Sequence, residues 1–220
     1  DDGVFITEFP YLREMVEHLY FDTVYHEHLS YLALTPLERL FSDVGLRAFR
    51  VERTELGASG PALRLFVCRA EARHPVEESV AAMLADEDAW GIRSPAPYDD
   101  FARRVAEVKT AIRNIVDGLK SDGHRVGAYC APAKGNTLLN YVGLGPDDLT
   151  AVSDNNELKI GKLTPGSHIA IIDDAAFIDA GITHALLLAW NYADFFLENA
   201  EFIKRGGKFI VPLPTPRIEP

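Results

Sequence analysis

Apolar and polar positions alternate along the second half of the chain in a way that separates strands from helices. Five short apolar runs are divided by turns and amphipathic segments. The predicted strands are residues 125–131, 149–154, 168–172, 184–190 and 208–212, and the predicted helices between them include 138–142 and 192–205. Strands alternating with helices favour an α/β fold with a parallel sheet, in which ligands bind at the carboxyl ends of the strands.

The first part of the chain contains fewer elements. Residues 3–10 are rich in β-forming side chains and close on a proline, so we interpret them as a buried central strand. Residues 12–20 can be helical. Residues 46–53 alternate with period two, and 62–68 form another strand pattern, so these two runs predict a hairpin-like pair.

A helix is predicted between the first strand and the hairpin-like pair. Thr35 is placed as its cap, Pro36 lies at the first position, and Glu38 provides a carboxylate in the first turn. The helix is predicted to end at Gly45, which suits a left-handed terminus.

Proline-rich and acidic segments near the middle of the chain predict a domain boundary between residues 69 and 97. We interpret residues 1–75 as one domain, 76–97 as a linker and 98–220 as a second domain. The second domain opens with a long amphipathic helix over 98–121, whose apolar residues recur every three or four positions. Asp122 and Gly123 are predicted to terminate it.

Composition narrows the range of partners. The formal net charge of −11 argues against nucleic acid and anionic membranes as partners, although local donors can still hold a small phosphorylated ligand. The two cysteines, Cys68 and Cys130, each lie in an apolar run and are expected to be buried thiols in a reducing, cytoplasmic compartment. No apolar run approaches the length needed to span a membrane.

The richest chemistry lies in the run FDTVYHEHLSY at residues 21–31. His26 and His28 titrate near neutrality, Glu27 can orient an imidazole, and Tyr25 can donate a hydrogen bond to a carbonyl oxygen that gains charge. Two alternatives stand beside an acid–base site. In the first alternative, the two histidines are half of a metal site, for which further ligands would be needed. In the second, the run is a structural cluster of hydrogen-bonded side chains.

A second run, GAYCAPAKGNTLLNY at residues 127–141, follows the first strand of the predicted parallel sheet. A turn of small residues that enters a helix offers free backbone N–H groups, and Lys134 adds a charge, so this turn suits a phosphate. The alternative is a capped turn without a ligand. Asn136, Thr137, Trp190 and Asn191 are expected at the same edge of the sheet.

These two runs, in this order, resemble the signatures of the nucleotide-sugar C-methyltransferases, which use S-adenosylmethionine. The resemblance covers nearly the whole chain but only the later part of such an enzyme. It implies that residues 1–75 are the second half of a class I, Rossmann-like methyltransferase domain, and that 98–220 form a second Rossmann-like α/β domain. It further implies C-methylation of a 4-keto deoxysugar linked to a nucleoside diphosphate, with thymidine diphosphate and carbon C3 favoured.

The resemblance assigns roles to particular residues. His28 is expected to be the base, assisted by Glu27, with Tyr25 near the sugar or the enolate oxygen. The residues expected to bind substrate are His26, Tyr31, Arg64, Lys134, Asn136, Thr137, Trp190 and Asn191.

The chain departs from the family pattern in three respects. The connector that usually reads HGGSLR is SGPALR at residues 59–64, so its histidine and serine are gone while Arg64 remains. This change leaves open a non-catalytic protein that binds nucleotide sugars. The glycine-rich turn for S-adenosylmethionine is expected upstream of this chain. Zinc is expected only in an N-terminal module, for which the chain has no cysteine pairs.

Overall fold

The computed structural model describes residues 2–54 and 61–220. They form a mixed α/β protein with two compact units. Unit 1 contains Asp1–Leu19 and His28–Arg103, and unit 2 contains Tyr20–Glu27 and Arg104–Pro220. The chain thus enters unit 2 for eight residues within the histidine-rich run and then returns to unit 1. The predicted domain boundaries did not anticipate this excursion.

Unit 1 is built on a three-stranded antiparallel sheet with the order β1-β3-β2. Its strands are β1 (Val4–Pro10), β2 (Leu46–Thr54) and β3 (Ala62–Arg69). The predicted pairing of the second and third strands is confirmed. The residues of their connector, 55–60, lie outside the described residues, so the predictions about this segment are not tested.

The prediction of β1 as a buried central strand is wrong. β3 is central, and β1 pairs with it along one edge only. Val4, Phe5 and Ile6 on β1 are 42%, 58% and 54% exposed. An apolar run predicts a strand reliably, but it does not reveal whether that strand has a neighbouring strand on each side.

Among the described residues, three helices lie wholly within unit 1: α1 (Leu12–Glu17), α2 (Leu34–Asp43) and α3 (Glu78–Trp90). The expected cap of α2 at Thr35 is wrong, since α2 begins at Leu34, two residues earlier than predicted, and Ala33 occupies the cap position. The buried Glu87 of α3 satisfies the start of α2 instead. It accepts hydrogen bonds from the backbone N–H groups of Leu34 at 2.8 Å and Thr35 at 2.7 Å.

Helix α3 lies in the segment that the sequence analysis interpreted as a linker. Its residues Val80 and Met83 are buried in the core of unit 1 together with Leu34, Leu63 and Leu65. The segment is acidic because most of the surface of α3 faces solvent. The amino-acid composition of the segment therefore did not reveal that one narrow side of the helix is buried.

Unit 2 contains a six-stranded sheet with the order β6-β5-β4-β7-β8-β9. The first five of these pair in parallel, and β9 is antiparallel to β8. The strands are β4 (Val126–Tyr129), β5 (Val152–Ser153), β6 (Ile171–Ile172), β7 (His184–Leu187), β8 (Lys208–Val211) and β9 (Arg217–Glu219). The predicted parallel sheet is confirmed, whereas the sequence analysis missed β9.

The helices of unit 2 differ from the predictions mainly at their ends. They are α4 (Ala96–Ser121), which crosses the boundary between the units, α5 (Ala133–Val142), α6 (Asp174–Asp179), α7 (Ala193–Asn199) and α8 (Glu201–Lys204). α4 buries Val105, Val108, Ile112 and Val116 as its apolar periodicity predicts. Gly123 follows it with φ of +83°, a left-handed conformation that suits the predicted termination.

Three predicted boundaries in unit 2 are wrong. The helix predicted over 138–142 begins earlier, since α5 starts at Ala133. Trp190 was expected in a strand and instead starts a short 3-10 helix, Trp190–Tyr192. The predicted helix 192–205 is divided at Ala200, whose backbone is extended. At this break the Asn199 side chain donates to the Phe195 carbonyl, one of the last acceptors of α7.

None of the helices in the described ranges combines the length and the apolar character that crossing a bilayer requires. Both cysteines are free thiols; Cys68 is buried, and Cys130 is only partly buried.

Candidate active site

The histidine-rich run begins with a short 3-10 helix, Phe21–Thr23, in unit 2. The Thr23 hydroxyl donates to the Tyr20 carbonyl at 2.7 Å, and the Val24 N–H donates to the Phe21 carbonyl at 3.0 Å. Phe21, Asp22 and Thr23 are all buried. This turn therefore fixes the start of the run, and the residues beyond it lie in irregular structure.

The side chains predicted to perform acid–base chemistry are accessible. Tyr25 and His28 are half-buried, whereas His26 and Glu27 are exposed. The rings of Tyr25 and His26 meet edge to face, with centroids 6.4 Å apart. Burial, together with the charges of Glu27 and Asp22, raises the pKa of Tyr25, so this phenol keeps its proton at neutral pH and can act as a hydrogen-bond donor.

Tyr31 and Arg64 belong to unit 1. Tyr31 is half-buried. On β3, Arg64 lies directly across from Glu8 of β1 and Glu52 of β2. Its guanidinium contacts their carboxylates at 2.8 and 3.4 Å. Arg64 is thus the centre of a cross-strand row of charges, and its assignment to substrate binding stays a prediction.

Four of the predicted binding residues lie near the carboxyl ends of β4 and β7 in unit 2. Lys134 and Asn136 lie in the first turns of α5, and Trp190 and Asn191 follow β7. The Lys134 Nζ donates to Asn191 Oδ1 at 2.5 Å and lies 3.9 Å from the centroid of the Trp190 ring. The structure thus brings Lys134, Trp190 and Asn191 together. Thr137 lies on the next turn of α5 and is half-buried.

A glycine determines how closely α5 approaches β7. A Cβ atom at Gly135 would lie 2.9 Å from the Cβ of Leu188, which is closer than such atoms pack. Any larger residue would push the first turn of α5, and Lys134 with it, away from the strand.

Sequence reasoning missed the acid at the centre of this group. The side chain of Asp22 is fully buried, and the Trp190 indole Nε1 donates to its Oδ2 at 2.6 Å. Burial raises the pKa of Asp22 to about 6, although the nearby charge of Lys134 opposes this shift. The signal in the sequence was a lone carboxylate between Phe21 and Thr23, inside a run that attracted attention for its histidines.

The acidic turn after β5 stabilises the backbone. Asp154 accepts hydrogen bonds from the backbone N–H groups of Ala131 and Asn156, each at 2.8 Å, and pairs with Lys159 at 3.0 Å. Burial would raise its pKa, but these bonds outweigh burial and hold the pKa of Asp154 below its usual value. The turn is therefore held by its own hydrogen bonds and ion pair.

The described residues do not fit the family's cofactor, S-adenosylmethionine. The turn from β4 into α5 is not glycine-rich, and its Ala131 N–H and carbonyl are taken by Asp154 and Lys159. No other strand in residues 2–54 and 61–220 leads into a helix through a glycine-rich turn. The described ranges also contain no group of three or more His, Cys, Asp or Glu side chains that could hold a metal.

Comparison with known proteins identifies the protein family to which the chain belongs. Residues 57–214 match the family of C-methyltransferase C-terminal domains, so the chain belongs to that family. Over 218 residues the chain is also 42% identical to the C-methyltransferase NovU of Streptomyces niveus. This alignment covers 99% of the chain and 51% of NovU, so the chain spans about half the length of this curated relative. The predicted family is confirmed.

Proposed function

We propose that this chain supplies the substrate-activating residues for C-methylation of a 4-keto deoxysugar linked to a nucleoside diphosphate. Thymidine diphosphate and carbon C3 are the favoured nucleotide and position, and the product would serve deoxysugar assembly in antibiotic biosynthesis. The observation that carries the proposal is the accessible acid–base run from Tyr25 to His28 in a chain of the C-methyltransferase family.

His28 is the proposed base. A C–H bond next to a ketone is acidic enough for a positioned imidazole to remove its proton. The proton moves to the imidazole, and the electron pair delocalises onto the ketone oxygen as an enolate. The enolate carbon is the nucleophile that C-methylation requires, while Glu27 stabilises the imidazolium.

Tyr25 is proposed to donate a hydrogen bond to the enolate oxygen. A phenol is protonated at neutral pH, so it can donate this hydrogen bond while the oxygen gains charge. His26 flanks the reaction. The roles of Tyr31, Arg64, Lys134, Asn136, Thr137, Trp190 and Asn191 in binding the nucleotide sugar stay predictions. S-adenosylmethionine is the methyl donor that the family implies, and the step proposed for this chain does not involve it.

Hydrogen exchange at carbon tests the proposed step without a methyl donor. A thymidine-diphosphate 4-keto deoxysugar is incubated in D2O with the longest form of the protein that its reading frame encodes, and deuterium uptake beside the ketone is followed by NMR. We expect the protein to accelerate uptake, and His28→Ala to lose roughly 100-fold or more of that acceleration. Tyr25→Phe should lose about tenfold.

His18→Ala is the matched control, because His18 is a half-exposed imidazole outside the run. It should exchange at the rate of the unmodified protein. Equal rates for the unmodified protein and His28→Ala would remove His28 from the proposed role.

A second candidate is a non-catalytic protein that binds nucleotide sugars. The observation that favours it is the altered connector SGPALR at residues 59–64, which lacks the histidine and serine of the family pattern. Calorimetry separates the two candidates: binding of the sugar nucleotide without any acceleration of deuterium uptake supports this second candidate.

A further inference from the structure

Asp22 is buried at a cost that its own hydrogen bonds do not offset. Its side chain is fully buried, and its Oδ2 accepts a hydrogen bond from the indole N–H of Trp190 at 2.6 Å. Within the described ranges, Oδ1 is buried and accepts no hydrogen bond. Burying a carboxylate with an unsatisfied oxygen is unfavourable, so packing alone does not explain an acid here.

One indole connects this acid to a cation. The edge of Trp190 donates to Asp22, and the face of the same ring lies 3.9 Å from the Lys134 ammonium. The charges of Asp22 and Lys134 influence each other's pKa, although the described residues contain no direct ion pair between them within 4.0 Å. Lys134 is held in place by its hydrogen bond to Asn191. The indole therefore has the Asp22 carboxylate at its N–H edge and the Lys134 ammonium over its ring face. Both contacts favour this orientation of the ring.

The neighbours of Asp22 are attached to the same unit. The ring of Tyr20 packs on Trp190 with centroids 4.9 Å apart, and Phe21 packs on Tyr141 of α5 at 5.1 Å. These contacts hold the 3-10 helix on α5 and on the residues after β7. Tyr25 follows Asp22 by three positions, so whatever fixes Asp22 also limits the movement of the acid–base run.

We propose that Asp22, Trp190 and Lys134 are positioning residues, which fix the segment 20–27 on unit 2 and thereby set the orientation of the run that carries Tyr25 and continues into His28. This proposal rests on the proposed function only in one respect, the reaction that residues 25–28 perform. The anchoring itself can be measured without substrate.

The charges around Asp22 define the pH range in which the anchor is complete. Lys134 faces it from α5, and Tyr25 and Glu27 follow on its own segment, while Trp190 from the residues after β7 does not titrate. Burial raises the pKa of Asp22 to about 6 and lowers that of Lys134 to about 8. Both groups are therefore charged between these values, and acidification below about 6 removes the carboxylate that accepts from the indole.

Tryptophan fluorescence tests the anchor directly. The chain has two tryptophans, so Trp90→Phe leaves Trp190 as the only reporter. We expect its emission to change between pH 4.5 and 7 with a midpoint near 6, and this transition to vanish when Asp22→Asn is added. Adding Asp194→Asn instead, which removes an exposed carboxylate four residues beyond Trp190, should leave the transition intact.

Amide hydrogen exchange then tests positioning. Asp22→Asn and Trp190→Phe should each speed exchange over residues 20–27 at least tenfold, while β4 and β7 remain protected. In the deuterium-uptake assay Asp22→Asn should lower the maximal rate at least tenfold with KM changed less than threefold.

Persistence of the fluorescence transition in Asp22→Asn, or unchanged protection of residues 20–27 in both variants, would overturn the anchor. A general loss of protection across unit 2 would overturn it in favour of a purely structural role. If the unmodified protein promotes no deuterium uptake, the proposed function fails, while fluorescence and amide exchange still decide the anchor.

Discussion

Two buried carboxylates illustrate how differently the same chemical group serves this protein. Both oxygens of Glu87 accept backbone N–H bonds at the start of α2, whereas only one oxygen of Asp22 has a hydrogen-bond partner among the described residues. A carboxylate at a helix N-terminus is favoured by the helix dipole and by charge-assisted hydrogen bonds. Glu87 is therefore expected to stabilise the fold, and Asp22 to weaken it.

Removing Glu87 should be among the most damaging substitutions in unit 1. Glu87→Ala would leave the N–H groups of Leu34 and Thr35 without an acceptor and open a cavity beside them. We expect the free energy of unfolding to fall by about 2–4 kcal/mol, measured by urea denaturation.

Asp88→Asn is the control for this substitution, because it changes an exposed carboxylate on the same helix that makes one long contact to Arg93 at 3.3 Å. Its effect should lie within about 0.5 kcal/mol. A similar small loss for Glu87→Ala would mean that water replaces the carboxylate at the start of α2.

The elements of unit 2 are joined by a charged cluster on the exposed side of α4. Arg113 contacts both oxygens of Asp148 at 2.8 and 2.9 Å, and Lys120 contacts one of them at 2.9 Å. Burial would raise the pKa of Asp148, but the hydrogen bonds from Lys120 and Arg113 outweigh burial and lower it. The cluster ties α4 to the loop before β5.

Asp148→Asn should lower the free energy of unfolding by about 1–3 kcal/mol at pH 7. Because the folded-state pKa lies below the ordinary value, this stabilisation is complete above that value and is lost as the pH falls through the lower folded pKa. Urea denaturation of both proteins at pH 7 and at pH 3 measures the difference, which should shrink in acid.

Asp117→Asn serves as the comparison, since Asp117 contacts the same arginine at 3.3 Å but is half-exposed. It should cost less than about 0.5 kcal/mol and show little dependence on pH. A pH-independent loss in Asp148→Asn would show that packing, and not charge, holds α4 there.

Sequence patterns predicted elements better than they predicted partners. The apolar stripe of α4 and the parallel strands of unit 2 follow from periodicity, because burial on one face dictates the spacing of apolar residues. The start of α2 depends on Glu87, more than fifty positions away, and no local signal reveals such a contact. The same holds for the site: Lys134, Trp190 and Asn191 were predicted, but Asp22 requires the fold.

At the scale of the whole molecule, the edge strand of the sheet in unit 1 carries three exposed apolar side chains at consecutive positions. β1 has no partner strand on its outer side among the described residues, and Val4, Phe5 and Ile6 are all exposed there. An unpaired apolar edge is a template for pairing with another chain.

The 220-residue chain is therefore expected to self-associate as its concentration rises. Ile6→Lys, which places a charge on that edge, should raise the concentration at which light scattering detects association several-fold. Leu158→Lys adds the same charge at an exposed leucine in a turn and should have little effect. Equal behaviour of the two variants would place the association elsewhere on the surface.

The buried acid at position 22 also bears on protein engineering. Because its pKa is higher in the folded than in the unfolded state, stability falls as the pH rises from the unfolded value toward about 6, and the loss is complete above that pH. A directed-evolution screen that rewards heat resistance at neutral pH would consequently enrich uncharged replacements at this position. The selected variants would be more heat-resistant, but their histidine-rich run would be less firmly anchored. Thermal selection should therefore be paired with a turnover assay from the first round.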